Sequence, residues 1–264
     1  MPLPSANPPA PYLGGKKNLA KRLCALIETI PHRAYIEPFV GMGGVFLRRG
    51  RPAPVEVIND LSGDVANLFR VVRRHYQPFV DAMLFLPAGR EEFGRQMRLD
   101  PAALTDIDRA VRFLYLQRLA FGGRVASRNF GVDAGQGSRF NLGKLRANLR
   151  LLSQRLEAVT IEQLRWQDVI RRYDRPDALF YLDPPYDETE GYGTDFGRAD
   201  YVEMAEQLGA IRGQFLLSIN ATPFIRETFA AFEVKEVETT WSLSTAAAGR
   251  AKRATELIIS DRPR

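Results

Sequence analysis

Cysteine and histidine are almost missing from this chain: Cys24 stands alone among 264 residues, with only His32 and His75 beside it. One thiol closes no intramolecular disulfide, which excludes a disulfide-stapled secreted scaffold and makes a reducing cytoplasm the expected compartment. Three scattered nitrogen and sulfur ligands do not make a zinc-type cluster, so no metal is expected. No apolar run nears the ~20 residues that cross a bilayer, and no membrane partner is expected. The proline-rich start, residues 1–11, lacks the apolar stretch of a signal peptide and reads as a disordered tail. Internal repeats are missing too. Apolar residues at 45% and charged residues at 26% are those of an ordinary globular protein, long enough for one large α/β domain or two.

Acidic residues are not scarce overall, at 31 against 37 basic ones, but one stretch nearly lacks them. Residues 120–155 hold Arg124, Arg128, Arg139, Lys144, Arg146, Arg150 and Arg155 against the single Asp133, so this window carries the whole net charge of +6. Such concentration suits a phosphate-binding face. Its first part is rich in glycine and polar groups and includes Phe121, Phe130 and Phe140, the composition of a loop able to enter DNA. Its second part places Leu145, Leu149, Leu152 and Leu156 at helical spacing, an inward-packing stripe.

The tetrapeptide Asp183-Pro184-Pro185-Tyr186 follows the apolar run Leu179-Phe180-Tyr181-Leu182. It combines an acid, a prolyl carbonyl and an aromatic face, the parts needed to handle a planar exocyclic amine. The lone pair of such an amine is delocalised into its ring, so a catalyst must accept hydrogen bonds from both N–H groups and draw the nitrogen toward a tetrahedral shape. Asp183 and the Pro184 C=O supply two acceptors. Tyr186 supplies a stacking surface for a base swung out of its duplex. By itself the same string is also what a strand followed by a proline turn looks like.

Upstream, Glu37-Pro38-Phe39-Val40-Gly41-Met42-Gly43-Gly44 reads as a strand end, a glycine turn and the opening of a helix. A β-like run, Val55-Glu56-Val57-Ile58, then ends in Asn59-Asp60. Asp60 follows Gly41 by 19 residues, close to the roughly 20 that separate a nucleotide-binding glycine turn from the acid that holds a ribose. The third spaced glycine of the dinucleotide fingerprint is absent, which argues against a pyrophosphate cradle and for an adenosine cofactor without phosphates; S-adenosylmethionine fits. Still further upstream, Tyr12-Leu13-Gly14-Gly15-Lys16 leads into a helix with Leu19, Leu23, Leu26, Ile27 and Ile30 on one stripe, ended by Pro31. Gly14 and Gly15 permit close backbone approach to a ligand, and Lys16 sets a cation at the mouth.

The coarse order is helix, strand, glycine turn, helix, strand and helix over 12–74, then a mostly helical stretch over 75–157. Strands resume near Thr160 and Leu179, and Asp200-x-x-Glu203 and Thr222-Pro223 look like helix starts. A loop over 242–254, with Arg250, Lys252 and Arg253, either closes near the substrate or connects strands. This is an α/β chain with a Rossmann-like sheet interrupted by a helical insertion, its ligands expected at the carboxyl ends of the strands.

The three motifs, in this order, resemble the Dam-like DNA adenine N6-methyltransferases, in particular the phage and prophage versions with the α-type motif order. The resemblance runs from Tyr12 to about Ser260. It implies an S-adenosylmethionine-dependent methyltransferase fold, with 12–74 and 158–264 as the catalytic domain and 75–157 as a helical DNA-recognition insertion. It also implies that Tyr12, Gly15 and Lys16 line the cofactor site and that Glu37, Pro38, Phe39, Gly41 and Gly43 wrap its methionine part. Asp60 would take the ribose hydroxyls, and Trp166 would stack on the cofactor adenine. Asp183, Pro184, Pro185 and Tyr186 would act on the substrate, Asp183 also lying close to the cofactor. DNA contacts are expected from Arg124, Arg128, Arg139 and Lys144, on double-stranded DNA, by a monomer in a bacterial or phage-infected cell.

Departures from the family pattern are few. Tyr12 stands where tryptophan is frequent, and Asp187 makes the entrance to the base pocket more polar. Gln163 and Arg165 replace an Asn and an Asp near the cofactor adenine. Competing readings are methylation of cytosine N4, whose motif usually starts with Ser, and of RNA adenine or protein glutamine, which usually start with Asn; the acid at 183 argues for DNA adenine. A nucleic-acid-binding protein that lost catalysis would need only the basic window, and a nicotinamide or flavin oxidoreductase would leave the tetrapeptide unexplained.

Overall fold

The structure, a computed structural model, describes residues 6–12, 16, 19–123, 125, 128–131, 135, 137–188, 196–241 and 252–261. Among the described residues seven strands form one sheet: β1 (Ala34–Glu37), β2 (Val55–Asn59), β3 (Val159–Glu162), β4 (Ala178–Leu182), β5 (Gln214–Asn220), β6 (Glu233–Trp241) and β7 (Lys252–Ser260), in the order β3-β2-β1-β4-β5-β7-β6. The first five pair in parallel, and β7 runs antiparallel to both β5 and β6. Every residue of β1 and β4 is buried, as expected of central parallel strands covered on both faces.

Strand alternation divides the interior into two cores. Tyr35, Leu179, Tyr181, Leu216 and Ile258 face one side, where they meet α1 (Ala20–Thr29), α2 (Gly63–Arg74), α3 (Tyr76–Asp81), α4 (Arg90–Arg98), α5 (Asp106–Leu119) and α6 (Leu142–Arg155). Ile36, Phe180, Leu182, Phe215, Leu217 and Ile259 face the other, against α7 (Trp166–Tyr173), α8 (Arg198–Ala210) and α9 (Pro223–Thr228). The leucine stripe of α6 packs inward, and the helices of the 75–157 stretch share the first core with α1 and α2. Their apolar side chains need the sheet-side helices for burial, so this stretch does not close a core of its own.

Four local expectations change. Residues 6–11 are laid down on the body: Ala6 and Ala10 are buried, Asn7 and Asn148 exchange two hydrogen bonds, and Arg118 donates to the Pro9 carbonyl. Prolines already restricted in φ lose little entropy on docking, so the segment docks where a flexible tail was expected. The glycine turn opens no α-helix but ends in a 3₁₀ turn, Phe46–Arg48; Gly41 and Gly43 both take positive φ, and Arg49 is already extended. Asp200 is not the cap residue of α8. It lies in the first turn and its carboxylate accepts the Gly197 N–H at 2.9 Å. Thr222 does cap α9, accepting the Ile225 N–H at 3.3 Å. Most of the 242–254 loop lies outside the described residues; Lys252 already begins β7.

A buried ion cluster holds the end of α6 to the sheet. Glu56 of β2 receives two bonds from Arg155, at 2.6 and 2.9 Å, and one from Arg49 at 2.5 Å. The two guanidiniums also lie over aromatic rings, Arg49 on Tyr35 at 3.6 Å and Arg155 on Phe46 at 4.0 Å. Removing the carboxylate leaves two buried cations without a counter-charge. Glu56→Ala should therefore cost about 3–5 kcal/mol, read as a lower urea midpoint; a loss below about 1 kcal/mol would mean that water reaches the cluster.

Candidate active site

The carboxyl ends of β1, β2 and β4 meet where the strand order reverses between β1 and β4, the switch point at which open α/β sheets bind ligands. Glu37 closes β1, Asn59 closes β2 with Asp60 next to it, and Asp183 follows β4. The 19-residue interval between Gly41 and Asp60 is spanned by one hydrogen bond, Gly41 N–H to Asp60 Oδ2 at 2.9 Å. The other oxygen, Oδ1, accepts the Ser62 N–H at 2.9 Å. Asp60 thus closes the glycine turn before any ligand arrives, and burial pushes its carboxyl up to about 6. Beside it, Asn59 donates to the Pro38 carbonyl at 2.8 Å and exchanges bonds with the backbone of Leu164.

Gly41 and Gly43, at φ +49° and +74°, need the left-handed region where a β-carbon is unfavourable. A β-carbon at Gly41 would also come within 3.0 Å of the Tyr12 ring, so the turn can carry Tyr12 against it only as glycine. Glu37 is buried and accepts the Tyr35 hydroxyl at 2.7 Å; burial, reinforced by the charge of Asp183, pushes its carboxyl up to about 8.

Lys16 is not at the mouth. Its side chain is 2% exposed, and its ammonium lies 2.7 Å from Asp183 Oδ1 and 3.6 Å from Glu256 Oε2. It also donates to the Tyr186 hydroxyl. The ammonium therefore sits among both functional groups of the tetrapeptide. Asp183 is pulled two ways: burial raises its carboxyl to about 6, while Lys16 opposes the rise. The Pro184 carbonyl receives no hydrogen bond from the described residues, and Pro185 O accepts from the Tyr201 hydroxyl. Tyr186 is buried at 4% exposure. Phe39 stands at the edge of an aromatic series, its ring 5.9 Å from Phe196, which lies 4.9 Å from Tyr201.

Asp187 does not make an entrance more polar. It is buried, accepts the Thr222 hydroxyl at 2.7 Å, and its carbonyl takes the Asn220 amide at 2.8 Å, so it fastens the loop after β4 to the end of β5. Trp166, the first residue of α7, packs into the second core, and its indole N–H is buried without a partner among the described residues.

In the basic window, Arg155 belongs to the buried ion cluster. Arg128, expected to touch DNA, turns inward to donate to Gln117 Oε1 at 3.1 Å, because the polar amide of buried Gln117 needs an internal partner. Arg139 is half-buried, and Lys144, Arg146 and Arg150 are exposed. Gly15 and Arg124 lie outside the described residues. Sequence reasoning missed Gln117, whose amide donates to Pro11 O at 2.9 Å and Gly123 O at 2.6 Å. It also missed Glu256, for which one signal existed, a charge heading the apolar run Leu257-Ile258-Ile259.

The sheet order and the acid-bearing crevice are those of a Rossmann-like methyltransferase. The sequence profile of the D12 class of N6 adenine-specific DNA methyltransferases matches residues 12–243, and the chain belongs to that family. It is similar to the type II methyltransferase M.CviBI of Paramecium bursaria Chlorella virus NC1A, at 24% identity over 95% of this chain and 97% of the relative. The DNA adenine methylases of Haemophilus influenzae and Salmonella typhi share 27% and 28%, the first covering 88% of this chain and 86% of its own length, the second 86% of each. Among solved structures, SMU.472, a putative methyltransferase complexed with SAH, matches at 15% identity and a TM-score of 0.39 over 95% of this chain and 55% of that one.

The family's methyl donor is S-adenosylmethionine, and the residues present fit it. The glycine turn has no β-carbon at Gly41 or Gly43 and takes positive φ at both, an acid follows the end of β2, and the Trp166 N–H is a buried donor without a partner among the described residues. Among the described residues no cluster of three metal-ligating side chains occurs, and no helix is long and apolar enough to cross a membrane.

Because burial raises the Asp183 carboxyl to about 6, it is protonated below that pH, loses its ion pair with Lys16 and gives up part of its acceptor capacity. The kcat/KM for DNA, which reports the free enzyme, should climb with pH through about 6 and level off above it. A profile flat from pH 5 to 7 would contradict the assignment of that limb to Asp183.

Proposed function

We propose that Asp183, the Pro184 carbonyl and Tyr186 form the adenine site of this DNA methyltransferase, and that the crevice between β1 and β4 is its cofactor site. Lys16 is the observation that carries this assignment: a nitrogen donor is already held at 2.7 Å by Asp183 and bonded to the Tyr186 hydroxyl. The same groups suit the amine of a flipped adenine, which enters as the lysine moves aside.

Asp183 accepts one N–H of the adenine amine and the Pro184 carbonyl accepts the other. Two acceptors on one side draw the nitrogen out of conjugation with its ring and expose its lone pair. Tyr186 holds the ring by stacking. Bound in the crevice, S-adenosylmethionine supplies an electrophilic methyl group on a sulfonium sulfur. Asp183 then takes up the proton that the alkylated nitrogen sheds, a task suited to a carboxyl poised near 6. Alignment of nucleophile and methyl group provides most of the acceleration.

The cofactor is held by Tyr12, Gly15 and Lys16 on one side and by the turn of Glu37, Pro38, Phe39, Gly41 and Gly43 on the other. Asp60, which retains a lone pair on each oxygen beyond its backbone bonds, takes the ribose hydroxyls, and Trp166 contacts the adenine ring. Residues 75–157 act as the DNA-recognition region, with Arg124, Arg139 and Lys144 on the phosphates of double-stranded DNA; Arg128, turned toward Gln117, shapes the loop instead. The protein works as a monomer.

Transfer of label from S-adenosylmethionine to unmethylated duplex DNA should appear in N6-methyladenine. Asp183→Ala should reduce it by about a thousandfold or more, the scale seen when one preorganised hydrogen-bonding group is removed, with cofactor binding by equilibrium dialysis largely kept. Near-normal turnover by that variant would overturn the catalytic assignment. For the DNA face, Arg139→Ala and Lys144→Ala should each flatten the salt dependence of duplex binding by about one unit of slope; slopes equal to wild type would remove those residues from the interface.

A further inference from the structure

Glu256 has no part in the assignment above, yet its surroundings call for one. It lies on β7, opposite Asn220 of β5 and Val237 of β6. Its side chain is 6% exposed, and its Oε2 is buried with no hydrogen-bond partner among the described residues. Burying a carboxylate without full compensation is costly, and at this point of the strand an apolar side chain would continue the run Leu257-Ile258-Ile259. The oxygen faces the Lys16 ammonium at 3.6 Å, just beyond hydrogen-bond length, while Asp183 holds the same ammonium at 2.7 Å. One cation thus lies between two carboxylates and is bonded to the nearer.

We propose that Glu256 is a positioning residue that receives the Lys16 ammonium when the adenine amine takes over Asp183. The inference rests on the reading of Asp183 as the amine's acceptor. An ammonium driven off Asp183 with nothing to meet it would be a buried unpaired charge, and base entry would have to overcome that cost. With Glu256 in place, a shift of under about 1 Å brings the ammonium to the ordinary 2.7–2.9 Å of a charge-assisted bond. The lysine stays neutralised, and Asp183 is released to the substrate. The unpartnered Oε2 is the vacant acceptor such an exchange requires.

The test is a double-mutant cycle on the full-length protein with unmethylated duplex DNA. Glu256→Gln keeps shape and one acceptor but removes the charge; it should lower kcat/KM for DNA on the order of tenfold, within the usual range of coupling between contacting residues. Affinity for S-adenosylmethionine and the melting temperature should change little, and Glu256→Asp should recover part of the loss. In a Lys16→Met background the same Glu256→Gln change should cost nothing or restore activity, since no ammonium remains to be received. If Lys16→Met is too slow for kinetics, fluorescence of 2-aminopurine at the methylated position reads base engagement in its place. Wild-type kcat/KM in Glu256→Gln, or an equal loss with and without Lys16, would overturn the proposal. Turnover by Asp183→Ala would overturn the underlying reading instead, whatever Glu256→Gln does.

Discussion

An ammonium group taken out of water must be matched by negative charge, and Lys16 imposes that requirement on segments far apart in the chain. Its side chain is almost fully enclosed and reaches Asp183 after β4 and Glu256 on β7. The buried cation moderates the rise that burial forces on the Asp183 carboxyl, which settles near 6 rather than higher. A carboxyl at that value is ionised at neutral pH and still basic enough to take a proton. The same contact ties Lys16 to the segment after β4 and to β7, and brings the hydroxyl of Tyr186 to a nitrogen donor. Fold closure and the chemistry of the site therefore draw on one electrostatic arrangement.

The glycine turn after β1 and the loop of the basic window are not separate modules joined by a linker. Tyr12 lies with its ring on Gly41, and a β-carbon at Gly123 would come within 3.0 Å of the Tyr12 backbone nitrogen. Gln117 ties Pro11 and Gly123 together through one buried amide. A short strap, residues 11 and 12, is thus packed between the glycine turn at the end of β1 and the start of the loop in the basic window.

Charge in the basic window serves two ends. Arg155 and Arg128 satisfy buried acceptors, Glu56 and Gln117, and hold α6 and the loop to the body. Lys144, Arg146 and Arg150 stand exposed on α6. A count of positive residues cannot separate the two groups, since a guanidinium is equally able to bind a phosphate or a buried carboxylate.

Much of the fold and of the site could be read along the chain, because it depends on short-range pattern. The apolar runs of β4 and β5, the leucine stripe of α6, the Thr222-Pro223 helix start and the tetrapeptide after β4 each follow from neighbouring residues. The spacing of Gly41 and Asp60 also carried over, since a strand, a turn and a return strand fix that interval geometrically. Only tertiary structure decided the rest. Lys16 and Glu256 are separated by 240 positions in the sequence, and nothing local says that one buried cation will be shared with Asp183. Residues 6–11 looked free because docking was invisible without α5 and α6 to receive them. Asp187 looked like a pocket group because its partners, Asn220 at the end of β5 and Thr222 at the cap of α9, lie more than 30 residues further along the chain. Pattern determines which elements form and which acids can do chemistry; which charges are buried together depends on long-range packing, where desolvation makes pairing compulsory.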